Sequence, residues 1–415
     1  MYSPVSGLDD SKNWTDADLS REKARTLVGS IVYLVLIMII GVIGNILVLI
    51  IFYFRFTSST HRCFILTLAI YDLLACAVGA PWIISESFFA FHYHDAISCK
   101  IFRFVLYYTC VASSLTLVLI AIERCRKICT PFKTQFTVPM AKRAIYVVVF
   151  GISSISSSPA LVLYGNKTIS TGYKNATGTK CFITDHFSET EWPKYFNVYL
   201  LVLAFLSTAI MAVSYIRIAR TVSKMGKDRI TKRIKKKETE QCNSRTDHSL
   251  EKSDDDIIES DSQFPPQNGA QLQPSRASRA MELRGQLIVQ NSIDSNTSDG
   301  SKKSKSRLRE KSSKWASKVM KRLSSSTSSG RQTLRITKML TFVTIAFVIS
   351  YLPHLTLMLW SMFVSKEDED TLPKDNLYQI VFYSFLLNNL VNPFIYATMD
   401  EKFKTELKKI LKCEC

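Results

Sequence analysis

Several things are missing from this sequence. Residues 1–10 are polar and carry acid, with no basic stretch leading into a short apolar core. A cleavable leader is therefore not expected there, and the first long apolar run is expected to serve as the targeting signal. No segment repeats another, which weighs against a transporter assembled from duplicated halves. No nucleophile, base and orienting group converge, so catalysis is not expected, and the cysteines lack the spacing of a metal site.

What the chain does have is apolar residues gathered in blocks. Hydrophobic residues make up 47% of 415, and they collect in runs near 27–54, 63–84, 100–122, 144–164, 195–219, 336–363 and 377–398. Crossing about 30 Å of hydrocarbon takes roughly 20 residues of helix. Helix is required because backbone N–H and C=O groups find no water in lipid. One such run could be a soluble core helix; seven have no soluble explanation. The expected fold is an all-α bundle of seven membrane-spanning helices.

The formal charge of +18 raises nucleic acid as a partner, but its placement excludes that reading. Basic residues crowd beside alternate membrane exits: Arg55 and Arg62, then Arg124, Arg126, Lys127, Lys142 and Arg143. Lys232, Lys237, Lys302, Lys303, Lys408 and Lys409 continue the bias. The positive-inside rule places those loops in the cytosol and the N-terminus outside, as in a multi-pass plasma-membrane protein. The glycosylation sequons at Asn13, Asn166 and Asn175 all fall on the same outer side. Of ten cysteines, Cys63, Cys125, Cys129, Cys242, Cys413 and Cys415 fall on the reducing side, and Cys76 and Cys110 inside spans. Cys99 and Cys181 remain as the expected disulfide.

The organisation follows. Residues 1–25 form an outer tail, 26–219 the first five spans, 220–335 a polar insert, 336–398 the last two spans, and 399–415 an inner amphipathic helix with a short tail. The insert is rich in Ser, Lys and Arg, with acid at Asp254, Asp255, Asp256 and Glu259, and is expected to be disordered. Phe403, Leu407, Ile410 and Leu411 share one helical face, suited to the inner leaflet and its lipids. Cys413 and Cys415 beside it are either palmitoylated or free tail thiols.

Polar groups inside hydrocarbon are costly unless paired or hydrated. Asp72, Asn45, Ser113, Asn388, Asn389 and Asn392 are such groups. They form either a hydrated network around a cation or a set of interhelical hydrogen bonds that only packs the bundle. Glu123 and Arg124 stand at the inner end of the third span, and Pro353 and Pro393 interrupt the sixth and seventh, where they supply hinges. Hinges beside a charged pair point to a bistable bundle.

These residues resemble the rhodopsin-like G-protein-coupled receptors. Gly44 and Asn45, the 68–72 segment ending in Asp72, Glu123-Arg124-Cys125, the 347–353 segment, and Asn392, Pro393 and Tyr396 stand in that family's order and spacing, with Cys99 ahead of Arg124. The resemblance implies an extracellular agonist, an outward swing of the sixth helix and nucleotide exchange on a heterotrimeric G protein, with a G-protein helix entering the inner cavity. It implies an allosteric Na+ site at Asp72, Ser113, Asn388 and Asn392, and no other cofactor. It implies an activation switch of Glu123, Arg124, Tyr215, Phe347, Tyr351, Pro353, Asn392, Pro393 and Tyr396. The chain departs from the pattern at Cys125 (usually Tyr), Tyr351 (usually Trp), Ser207 (usually Pro), near Val149 (no Trp) and Thr333, where many members carry an acid. The last departure weakens the inactive-state clasp and permits basal activity.

Leu106 stands where amine receptors carry Asp, and Leu386 where opsins carry the retinal lysine. A peptide ligand remains, of the kind bound by cholecystokinin and orexin receptors. The pocket by position comprises Glu86, Leu106, Tyr107, Cys110, Tyr351, His354, Tyr378 and Phe382. His354 reads equally as a satisfied interior group. Acid at Glu86, Asp185, Glu189, Glu191 and 367–370 would attract a basic peptide, unless these are merely solvated loops. The run around Ser324 and Ser329 looks like a target for receptor kinases, which would direct arrestin to the insert. Other readings are a lipid or small-molecule receptor, a non-signalling decoy and an ion-coupled transporter.

Overall fold

The computed structural model describes residues 13–171, 173, 176–250, 327–363 and 376–412. Asn175, Cys413, Cys415, Ser324, the 367–370 acids and most of the 220–335 insert lie outside them. Among the described residues, six helices are long and apolar enough to cross a membrane: Val28–Arg55, Thr60–Phe88, Ala96–Cys129, Val138–Leu163, Trp192–Met225 and Thr333–Trp360. A seventh span is split into Asn376–Phe382 and Ser384–Met399, which meet at 50°.

Capping residues set where the spans begin. The Ser59 side chain accepts from Arg62 N, and the Asp95 carboxylate accepts from Ile97 N and Ser98 N, so the second and third spans start upstream of their apolar runs. The third span is the axis of the bundle, with Val111, Ala112, Leu115, Leu117 and Ile120 buried in its middle. Other spans turn large apolar side chains outward, as at Phe205 (73% exposed) and Ile155 (74%), which suits hydrocarbon rather than water. Gly41 and Gly44 bring the first span close to the second and seventh. A Cβ on Gly44 would lie 2.8 Å from Pro393 Cγ.

The chain divides into two compact units, Met1–Thr221 with Arg331–Cys415, and Val222–Gly330. Within the second, the described residues are helical. The helix that begins at Trp192 runs on to Leu250, well past the expected boundary at 219. Lys- and Glu-rich sequence there has high helix propensity, which the polar composition alone concealed.

Two further pieces cover the outer end. Strands β1 (Tyr164–Ser170) and β2 (Thr177–Ile183) form an antiparallel hairpin with Asn166 opposite Cys181. The Cys99–Cys181 disulfide ties it to the third span. The expected 1–25 tail is not all irregular: a helix, Asp16–Thr26, begins within it and is opened by a reciprocal Thr15–Asp18 cap. Its Leu19 is buried against Ala90, Phe91 and Tyr173, and its Ser20 Oγ accepts from Phe91 N at 3.0 Å. On the opposite end, Glu401–Leu411 is the amphipathic helix, with Phe403 buried against Phe52 and Tyr396.

Candidate functional site

An outer cavity of about 710 Å³ opens between the third, fifth, sixth and seventh spans, roofed by the hairpin. All eight side chains expected in the pocket line it: Glu86, Leu106, Tyr107, Cys110, Tyr351, His354, Tyr378 and Phe382. Tyr107 and Tyr164 share a hydroxyl–hydroxyl hydrogen bond of 2.7 Å. His354 Nδ1 lies 2.6 Å from the Phe382 carbonyl, so one side of that imidazole is occupied within the bundle. One expectation needs correction. Glu86 does not present an open negative charge, because its Oε1 accepts from Arg103 Nη2 at 2.5 Å with both side chains nearly buried. Arg103, Lys180, Tyr164 and Tyr383 also line the cavity and were not anticipated. A charged residue inside an apolar run was the visible signal for Arg103.

Below the cavity, Tyr351 stacks on Phe347 at 4.2 Å between ring centres. Beneath that pair lies the polar core. Asn392 Nδ2 donates to Asp72 Oδ2 at 2.6 Å and Ser113 Oγ to Asp72 Oδ1 at 3.4 Å. Asn45 Nδ2 donates to the Gly41 and Asn389 carbonyls. Both polar atoms of buried Asn388, together with Asn392 Oδ1 and Asn45 Oδ1, have no hydrogen-bond partner among the described residues. Interhelical packing alone does not account for orphaned oxygens beside a carboxylate, since buried polar groups are nearly always satisfied. Oxygen donors of this kind suit water or a hard cation.

At the inner end Glu123 and Arg124 form an ion pair, 5% and 1% exposed, and Thr60 Oγ1 donates to Glu123 Oε1 at 3.0 Å. Among the described residues, Arg124, Tyr215 and Tyr396 of the expected switch share no hydrogen bond with one another. Tyr215 instead donates to the Leu340 carbonyl at 3.2 Å and accepts from Thr344 at 3.0 Å, which ties the fifth span to the sixth. The Tyr396 hydroxyl is buried without a hydrogen-bond partner among the described residues. Pro353 and Pro393 lie inside helices, Thr327–Phe363 and Leu387–Met399, and the seventh span has in addition a sharp break at Tyr383, ahead of Pro393. Ser384 Oγ, just after that break, donates to the Ser350 carbonyl at 2.9 Å.

A family profile described as "7 transmembrane receptor (rhodopsin family)" matches residues 44–396. The chain belongs to the rhodopsin family of seven-transmembrane receptors. Its relatives include the thyrotropin-releasing hormone receptor of Gallus gallus, 22% identical over 98% of this chain and 85% of that protein. The human thyrotropin-releasing hormone receptor is 23% identical over 92% and 79%. The cholecystokinin receptor type A of Cavia porcellus is 24% identical over 91% and 79%.

Within this rhodopsin-family receptor two of the departures have these surroundings. Cys125, in the usual Tyr position, is half-buried, and nearby Cys129 Sγ receives a hydrogen bond from Thr221 Oγ1 at 3.3 Å. The Thr333 carbonyl accepts from Thr337 Oγ1, a bond within the sixth span. Among the sequons, Asn13 is exposed beside the outer helix, whereas Asn166 Nδ2 already donates to the His94 carbonyl at 2.7 Å. A glycan on Asn166 would have to replace that bond.

Proposed function

We propose that this rhodopsin-family receptor binds a peptide in the outer cavity and activates a heterotrimeric G protein from the inner end. The observation that carries the reading is continuity. The cavity floor is Tyr351 on Phe347, the polar core around Asp72 lies beneath it, and the Glu123–Arg124 pair closes the inner end. A ligand that moves the floor therefore acts on one connected stack of side chains. The relatives named for peptide hormones support the ligand class. The reading places the N-terminus outside, Na+ at Asp72, Ser113, Asn388 and Asn392, and glycans at the outer sequons. Palmitate on Cys413 and Cys415, receptor kinases acting near Ser324, and arrestin on the insert complete it.

The test is a panel of secreted-type synthetic peptides applied to cells expressing the full chain, read out as G-protein dissociation, with Arg124→Ala as control. Activation lost in that variant supports the reading. Peptide binding without G-protein dissociation identifies a decoy, and ion-dependent uptake without a G protein identifies a transporter.

A further inference from the structure

We propose that His92 and His94, in the loop between the second and third spans, bind a divalent transition-metal ion of the zinc type at the edge of the hairpin. Neither histidine lines the outer cavity, so the inference does not depend on the peptide reading. The loop runs alongside β2. Thr179 N donates to the Phe91 carbonyl and Tyr93 N to the Thr179 carbonyl, both at 2.9 Å. Alternate residues of an extended stretch point to opposite sides. Tyr93 is accordingly buried, with its hydroxyl 2.6 Å from Ser98 Oγ, and the histidines on either side of it are both exposed.

The two rings meet edge to face, 4.3 Å apart between centres, and His92 Nδ1 lies 3.0 Å from His94 Nε2. Two Zn–N bonds of about 2.0–2.1 Å at a tetrahedral angle hold their nitrogens about 3.4 Å apart. A slight turn of the exposed rings makes that opening. Without an ion, one ring has to donate a hydrogen to the other's lone pair; with an ion between them, both lone pairs are used. The far side of His94 is already prepared, because its Nδ1 is 3.2 Å from Thr179 Oγ1. A metal on Nε2 keeps the hydrogen on Nδ1, which then donates to Thr179, and such an outer partner fixes the ring of a ligating imidazole. Asn166 Nδ2 donates to the His94 carbonyl at 2.7 Å, so both strands of the hairpin hold this residue. The Asp95 carboxylate is turned away to the backbone N–H groups of Ile97 and Ser98. Among the described residues no third His, Cys, Asp or Glu completes the group, so water takes the remaining positions. Imidazole nitrogens suit zinc and its neighbours, whereas calcium and magnesium take oxygen. Bound there, the ion braces the loop against the hairpin that roofs the cavity.

The test titrates the full chain, purified in detergent and stripped of metal with a chelator, with Zn2+ alone. The wild type should bind one more zinc ion than His92→Ala or His94→Ala, and zinc should raise its melting temperature by more than theirs. Thr179→Val, which keeps both ligands, should weaken that extra site about 10–100-fold. Excess Ca2+ should leave it filled. The unmodified chain supplies a second measure that needs no variant to fold. Diethyl pyrocarbonate labels exposed imidazoles, and zinc should protect His92 and His94 while the exposed His186 stays reactive. Equal zinc binding by the wild type and by both histidine variants, melting normally without metal, overturns the proposal. So does undiminished labelling of His92 and His94 at saturating zinc.

Discussion

Asp72 collects the Asn392 amide at 2.6 Å and the Ser113 hydroxyl at 3.4 Å in surroundings that offer no bulk water. Removing one donor leaves the carboxylate short of a partner, a loss of about 1–3 kcal/mol. Asn392→Ala should therefore lower the melting temperature of detergent-solubilised receptor, and Asp72→Asn should abolish any stabilisation by added sodium. Outside the membrane, Asp95 caps the third span, and hydrogen bonds from Ser98 and Ile97 hold its carboxyl below its ordinary value of 3.8. A depressed value means the charged form is favoured in the folded state, so the contribution is present above the ordinary value and is lost as pH falls through the folded one. Acid titration of thermal stability should show this step in the wild type and not in Asp95→Asn. Asp72 is conspicuous as a carboxylate inside an apolar run and Arg103 as a charge inside another, but the neutralisation of Glu86 depends on a contact 17 residues along the chain, across two helices. No periodicity reports such a contact.

Helices were the most legible elements, because length and apolarity are both forced by the bilayer. Their ends were less so. Hydropathy counts apolar residues, whereas Ser59 and Asp95 start helices by accepting backbone N–H bonds. The outer helix is invisible to hydropathy for the same reason, although Thr15 and Asp18 stand at the spacing of a reciprocal cap. The seventh span's break at Tyr383 had no proline to announce it. The amphipathic helix was visible from its spacing, and its docking depends on one ring. Phe403 is 1% exposed, with Phe52 5.7 Å and Tyr396 6.2 Å away between ring centres. Phe403→Ala should cost about 3–5 kcal/mol, seen as a lower melting temperature. Glu406→Ala, which removes ion pairs to the solvent-exposed Arg55 and Lys409, should cost about 1 kcal/mol or less.

For the molecule as a whole, the order of motifs along the chain disclosed the family before any contact was known. The resting connections between spans were not disclosed, since they depend on which rotamers meet. Among the described residues Arg124 pairs with its neighbour Glu123 and not with the sixth span, where Thr333 offers no charge. Thr333→Glu should add that missing attraction and lower ligand-independent signalling severalfold, measured as basal G-protein dissociation.

The inner end of the sixth span is attached instead through Tyr215 and through Arg335, whose Nη1 lies 2.6 Å from Glu401 of the amphipathic helix. The two side chains of that ion pair are 55% and 75% exposed. An ion pair so open to solvent contributes less than about 1 kcal/mol, so at this end the sixth span can part from the amphipathic helix at little cost, and the firmer attachment is the one to the fifth span through Tyr215.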